Sequence, residues 1–196
     1  MEEPARKRAT YDDIIALPEN VVGEIIDGEL VVSPRPAPPH TLTSSVIGGD
    51  LQPAFGRRGG GRGPGGWWIL DEPELHLGAH VLVPDLAGWR RERLPTLPEA
   101  VGFTVAPDWV CEVVSPSSAR RDRVRKMQLY ASFQVAALWL VDPLARVLES
   151  YRLEGGAWVV AGTWGGSVTA RVPPFQDIEL DLDEWWLPTA AGDTER

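Results

Sequence analysis

The chain of 196 residues has one cysteine, Cys111, so an intrachain disulfide and a cysteine zinc cluster are both excluded. It has no apolar run near the roughly 20 residues that a membrane-spanning helix needs. No apolar segment follows the charges at the N-terminus, so the start of the chain does not resemble a secretory signal. We therefore expect a globular protein with no membrane partner, and a cytoplasmic location is the default expectation.

Lysine is almost absent: 17 of the 19 basic residues are arginine, and the two lysines are Lys7 and Lys126. Because lysine is a compact point charge and arginine a planar fork, a lysine in this background indicates a specific role. The net charge of -9 argues against a polybasic nucleic-acid binder, since Lys and Arg supply phosphate affinity. However, five basic residues fall between positions 120 and 126, so an acidic body could carry one basic face.

The length is typical of one domain, which we place at residues 10–187 with tails at 1–9 and 188–196. Asp27-Gly28 between two apolar stretches predicts a β-hairpin at 21–32. Helices are expected from Tyr11, at 40–55, and after Ser115, where Val124, Met127, Tyr130 and Phe133 recur at helical spacing. Strands are expected at 67–70, 74–77, 81–87, 109–114, 137–141, 147–153 and 158–163, with two short ones before Trp185. The glycine-rich segment 56–66 is predicted to be a flexible connection. This order of elements predicts an α/β or α+β sheet with an added hairpin.

Two acids stand on otherwise apolar strands, Asp85 in 81–87 and Glu112 in 109–114. A carboxylate is almost never buried without a partner, because its desolvation is costly. If the two strands are neighbours, the carboxylates could converge and bind Mg²⁺ or Mn²⁺, which prefer oxygen ligands. The alternative is that each acid lies at a strand end, exposed or paired with an arginine.

The helix after Ser115 opens with Arg120, Arg121 and Arg123, although cations oppose the dipole at a helix N-terminus. A bound phosphate would relieve that mismatch, and a solvated basic face is the alternative. Lys126 shares a helix face with Asp122, four residues before it. This lysine either makes an ordinary surface pair with Asp122 or presents its ammonium to Glu112.

Several segments, in this order, resemble a bacterial family of restriction-endonuclease-like proteins, itself similar to the PD-(D/E)XK nuclease superfamily. The match covers about residues 10–187. The segments are Gly23-Glu24-Ile25-Ile26-Asp27-Gly28-Glu29-Leu30, His40, Val83-Pro84-Asp85-Leu86, Glu112-Val113-Val114-Ser115-Pro116-Ser117, Arg121-Asp122 with Lys126 and Tyr130, and Trp139-Leu140-Val141-Asp142-Pro143.

The resemblance implies a mixed β-sheet core flanked by helices, with additional N-terminal and C-terminal β-hairpins. It implies a metal-dependent DNA endonuclease that uses Mg²⁺, or alternatively Mn²⁺, with DNA as the partner. A homodimer is a separate expectation, which belongs to the alternative that the fold is a binding module. Val114 departs from the pattern because it occupies the position of the superfamily's basic residue. The implied roles are catalysis by Asp85, Glu112 and Lys126, metal binding by Asp85 and Glu112, lining of the site by Glu24, His40 and Tyr130, and phosphate contacts by Arg120, Arg121, Arg123 and Arg125.

Two other interpretations remain open. A catalytically inactive descendant could use the fold as a protein-binding or nucleic-acid-binding module, with pairs such as Trp67-Trp68 exposed at an interface. Core filling is the competing explanation for the nine tryptophans. A zinc hydrolase is poorly supported, because His40, His76 and His80 lack zinc-ligand spacing.

Overall fold

The structure, a computed structural model, describes residues 8–56, 63–116 and 118–188. The expected tails, the glycine-rich connection and the motif residue Ser117 therefore lie wholly or partly outside the described residues. The strands are β1 (Val21–Ile26), β2 (Glu29–Pro34), β3 (Trp67–Asp71), β4 (Leu75–Leu77), β5 (His80–Leu82), β6 (Leu86–Arg90), β7 (Trp109–Val113), β8 (Ala137–Asp142), β9 (Val147–Glu154), β10 (Ala157–Gly165), β11 (Thr169–Ala170) and β12 (Leu180–Asp181).

The main sheet has six strands in the order β10-β9-β8-β7-β6-β3. Strands β7 and β8 run parallel, and the other neighbours run antiparallel, so the sheet is mixed. A second sheet has the order β2-β1-β5-β4, and β11 pairs with β12. The predicted mixed sheet flanked by helices, with hairpins near both ends of the chain, is confirmed.

Helix α1 (Tyr11–Ile15) begins with a capping box, in which the Thr10 backbone N–H donates to Asp13. Helix α2 (Pro38–Leu51) continues into a π-helical turn (Gln52–Gly56). The segment after β7 forms one continuous helix made of α3 (Ala119–Arg121), a π-helical turn (Asp122–Lys126) and α4 (Met127–Ser132). A short 3₁₀ helix (Leu182–Trp185) follows β12.

Strand β7 separates two hydrophobic layers, because successive side chains point to opposite faces of a sheet. Trp109, Cys111 and Val113 pack on one face, with α2 and the C-terminal segment. Val110 and Val114 pack on the other face, with the second sheet and the helix that contains α4. Glu112 belongs to this second face. Core filling by the tryptophans is confirmed: six are buried and the other three are partly buried.

Two local predictions are wrong. The strand expected at 81–87 is interrupted between β5 and β6, and Pro84, which has no backbone N–H, lies in the break. Val124, expected on the apolar face of the long helix, is 52% exposed. The buried positions of this helix are Asp122, Lys126 and Tyr130, spaced by four.

The hairpin turn follows the sequence prediction. Asp27 and Gly28 have φ values of 54° and 80°, and a type I′ hairpin turn requires positive φ at both central residues. In the described parts of the chain, no helix is both long and apolar enough to cross a membrane.

Candidate active site

Asp85 and Glu112 come together because β6 and β7 are antiparallel neighbours. Leu86 pairs with Cys111, so extending this register by one step places Asp85 opposite Glu112. The backbone N–H of Val113 donates to Asp85 Oδ2 over 2.7 Å, which fixes the carboxylate beside β7. Both acids line one cleft of about 380 Å³. The break before β6 thus puts Asp85 at the edge of a rigid strand, where its side chain can reach the cleft.

Lys126 enters the same cleft from the π-helical turn. Its Nζ lies 2.7 Å from Glu112 Oε1 and 2.9 Å from Glu24 Oε1. Glu24 projects from β1 and also accepts a 2.9 Å hydrogen bond from the Val83 backbone N–H. The ammonium therefore joins the second sheet to the main sheet, and its side chain is only 3% exposed.

Two further side chains of the helix support this contact. Tyr130, fully buried, donates its hydroxyl to Glu112 Oε1 over 2.5 Å, but it is not among the residues that line the cleft. Asp122 is buried at the cleft, and its Oδ1 lies 3.6 Å from Arg121 Nε. Asp122, Lys126 and Tyr130 thus use the shared helix face that their spacing predicts.

The cluster holds more negative charge than one ammonium balances. Burial raises the pKa of Glu112 well above its ordinary value; Lys126 opposes this, and the nearby charges of Asp122, Asp85 and Glu24 add to it. Burial also raises the pKa of Asp122. Burial alone would lower the pKa of Lys126, but the carboxylates around it outweigh burial and raise it. The lysine is therefore firmly protonated, and the site still favours additional positive charge.

His40, near the start of α2, extends the cluster on the other side of Asp85. Its Nε2 lies 3.0 Å from Asp85 Oδ1, and the two side chains are 15% and 16% exposed. Its Nδ1 is buried and has no hydrogen-bond partner among the described residues. Burial lowers the pKa of His40, but the hydrogen bond and charge of Asp85 outweigh burial, so the net direction is upward.

The His40–Asp85 pair makes stability depend on pH. A histidine whose pKa is raised by folding stabilises the fold fully below its unfolded pKa and loses that contribution as pH rises through the folded pKa. We expect His40→Asn to destabilise the metal-free protein more at pH 5.5 than at pH 8.5, two values on either side of about 6.5, the ordinary histidine pKa. Urea midpoints of both proteins at both pH values measure this; an equal loss at both would contradict the pairing.

The comparison with known families fits this geometry. Residues 9–183 match the sequence model of the Uma2 family, described as "Putative restriction endonuclease". The chain belongs to the Uma2 family. A crystal structure described as a putative nuclease belonging to DUF820, from Anabaena variabilis ATCC 29413, is 23% identical and has the same fold, with a TM-score of 0.67. The match covers 91% of this chain and 97% of that one. No curated protein matches the chain.

Membership of the Uma2 family implies a divalent metal, and the cleft residues fit one. Mg²⁺ is usually held by one or two carboxylates, with water and substrate phosphate completing the shell. Asp85 and Glu112 are such a pair, and the buried Asp122 Oδ1 makes no hydrogen bond to a described residue. In the described ranges, no three His, Cys, Asp or Glu side chains form a ready metal-binding group. The fit to a metal therefore rests on two carboxylates, Asp85 and Glu112, and not on a complete set of protein ligands.

The structure does not bring the four predicted DNA-binding arginines of this Uma2 protein together. Arg121 lines the cleft, whereas Arg120 is exposed and is not among the lining residues. Arg123 pairs with Glu149 on β9. Arg125 pairs with Asp27 and Glu29 at the turn between β1 and β2. Their role as phosphate contacts remains a prediction.

Two charged residues that line the cleft, Arg35 and Glu72, were not predicted from the sequence. Glu72 has a φ of 43°, and its backbone N–H donates to the Asp85 carbonyl over 3.0 Å. The Arg35 guanidinium lies 3.4 Å from the Glu72 carboxylate. Positive φ at a non-glycine residue is often found at functional sites. No local sequence pattern indicates either residue, because the turn after β3 and the loop after β2 meet only in the folded chain.

Proposed function

We propose that this Uma2-family protein is a metal-dependent DNA endonuclease that hydrolyses phosphodiester bonds. The single observation that carries the proposal is the direct contact of Lys126 with Glu112 in a cleft that also holds Asp85. An acid pair and one ammonium are the groups that metal-assisted phosphodiester hydrolysis needs.

Asp85 and Glu112 would hold the metal. When bound, Mg²⁺ or Mn²⁺ would polarise the scissile phosphate and lower the pKa of an attacking water. The Val113 N–H and His40 fix the Asp85 carboxylate, and Tyr130 fixes Glu112, so neither acid has to be oriented when substrate arrives. The Lys126 ammonium would stabilise negative charge that develops on the phosphoryl oxygens.

The environment of Val114 supports the assignment to Lys126. Val114 is buried in the second hydrophobic layer, so a lysine at this position would have to leave the core to reach a phosphate. The helix that packs over the same face supplies the ammonium from position 126 instead. A shift of the catalytic cation from strand to helix is therefore compatible with an intact active site.

The test is cleavage of supercoiled plasmid by protein eluting as a single gel-filtration peak. We expect nicked and linear products with Mg²⁺ or Mn²⁺, loss of activity in EDTA, and recovery when metal is returned in excess. The activity should follow the protein peak across the column. Folded protein that cleaves no DNA under any of these conditions would favour the inactive binding module and contradict the proposal. Cleavage that persists in EDTA would exclude metal dependence.

A further inference from the structure

The cleft is small, and its reacting groups lie deep inside it. Its volume of about 380 Å³ is near the lower end of the range that encloses one small-molecule ligand. The Glu112 and Lys126 side chains at its floor are only 5% and 3% exposed. A phosphate must therefore enter the cleft to reach them, and the room around it suits about one nucleotide rather than a base pair.

One wall of the cleft is stiff. Residues 33–37, which are the end of β2 and its connection to α2, line it, and two of the five are Pro34 and Pro36. Proline fixes φ near -65°, so this connection has few backbone rotations with which to move aside. Pro38 and Pro39 then begin α2, which also carries His40. Opening the cleft for a duplex would mean displacing this wall together with the helix that holds Asp85 in place.

The cleft offers few cations to a DNA backbone. Apart from His40, the positively charged groups among the described lining residues are Arg35, Arg121 and Lys126. Lys126 already contacts two carboxylates. The buried Arg121 Nε lies 3.6 Å from Asp122 Oδ1 and 3.9 Å from Glu24 Oε2 but makes no hydrogen bond to a described residue. Arg35 donates to the Glu19 carbonyl over 3.1 Å and lies 3.4 Å from the Glu72 carboxylate. The cleft thus offers two guanidinium groups to phosphate, fewer than the roughly 6 to 10 phosphate contacts of a duplex-binding protein.

We propose that this site takes an unpaired DNA strand, such as a gap, bubble or frayed end, with Arg35 and Arg121 contacting phosphates beside the scissile one. This inference rests on the proposed nuclease function and names its substrate class. A single strand can bend and turn its bases aside so that one phosphate enters a narrow cleft. A duplex exposes its phosphates but is too wide and stiff to follow one of them into the cleft unless it opens locally. The role of Arg35 in this proposal is to position the substrate strand.

Measuring DNA affinity tests the proposal without requiring that the protein cleaves DNA. In EDTA, fluorescence anisotropy compares a dye-labelled oligo-dT strand with a blunt hairpin duplex of the same labelled length. Because unpairing costs a duplex a few kcal/mol, we expect the single strand to bind at least about tenfold more tightly. Equal affinity, or tighter duplex binding, would overturn the proposal.

The salt dependence of the DNA affinity measures how many phosphates the protein contacts. Each contact to a single strand contributes about -0.7 to the slope of log affinity against log salt, so Arg35 and Arg121 together should contribute about -1.4. We expect Arg35→Ala and Arg121→Ala each to reduce its magnitude by about 0.7. Arg152→Ala is the matched control, because Arg152 on β9 pairs with Glu154 and does not line the cleft. Unchanged slopes in both cleft variants would also overturn the proposal.

Cleavage then separates this inference from the function on which it rests. With Mg²⁺, a duplex containing a central bubble should be cut within the bubble, and the fully paired duplex should be cut at least about tenfold more slowly, matching the binding preference. Equal cutting of paired and unpaired regions would contradict the substrate class but support the nuclease. Preferential single-strand binding with no cleavage of any DNA would support the substrate class and contradict the nuclease.

Discussion

Replacing Asp85 with asparagine is expected to lower the rate of DNA cleavage by at least about a thousandfold and to leave the fold intact. Polarisation of a phosphoryl oxygen by a metal contributes several kcal/mol, and each 1.36 kcal/mol corresponds to a tenfold change in rate. Asparagine keeps the shape of the side chain, and its amide oxygen can still accept the Val113 N–H. The variant thus removes the charge needed to hold metal without removing the contact that positions the side chain.

Asp177→Asn is the matched control for Asp85→Asn, because Asp177 is exposed and does not line the cleft. This control should cleave supercoiled plasmid at the wild-type rate in Mg²⁺. Thermal unfolding of both variants checks that each is folded. If Asp85→Asn kept more than about a tenth of the wild-type rate, a difference of less than about 1.4 kcal/mol, Asp85 could not be a metal ligand in the reaction.

Lys126→Met should produce the largest loss of stability among the cleft variants. Removing one partner of a buried ion pair leaves an uncompensated charge and typically costs about 3 to 5 kcal/mol. Here the ammonium contacts both Glu112 and Glu24, and its side chain is buried among carboxylates. For a chain of this size that loss lowers the melting temperature by roughly 10 °C. Arg152→Met, at an exposed ion pair, should change it little.

The loss in Lys126→Met should shrink as pH falls. Burial raises the pKa of Glu112, and removing the lysine removes the charge that opposes this increase. An acid whose pKa rises on folding destabilises the fold once pH exceeds the unfolded pKa, so protonation at low pH restores stability. Thermal melts from about pH 4.3, the ordinary Glu pKa, to pH 8 measure this. A loss independent of pH would show that lost packing, not charge, controls the effect.

The sequence predicts much of the fold where local chemistry decides it. Asp27-Gly28 specifies its turn because few other residue pairs accept two positive φ values. The apolar run around Trp109 and Cys111 specifies a buried strand, and the acid within it indicates a site because a lone carboxylate is costly to bury. These signals need no knowledge of distant residues.

Other features depend on tertiary contacts that no local pattern encodes. Val124 looks apolar and helical, but the π-helical turn directs it to solvent. Arg123 and Arg125 belong to a basic cluster in the sequence, yet they diverge to acids on β9 and on the hairpin turn. Spacing alone brings Lys126 onto a face with Asp122, but only the packing of the helix over β7 decides that this face meets Glu112.

The π-helical turn between Asp122 and Lys126 affects how the sequence of this helix aligns with those of related proteins. A π turn holds one residue more than an α turn. A homologous helix one residue shorter, with an ordinary α turn, could therefore still direct a lysine toward the strand acid. The number of residues between the strand acid and the lysine can then differ between two chains that hold the ammonium in the same place. A sequence alignment that requires constant spacing would miss the lysine in such a relative.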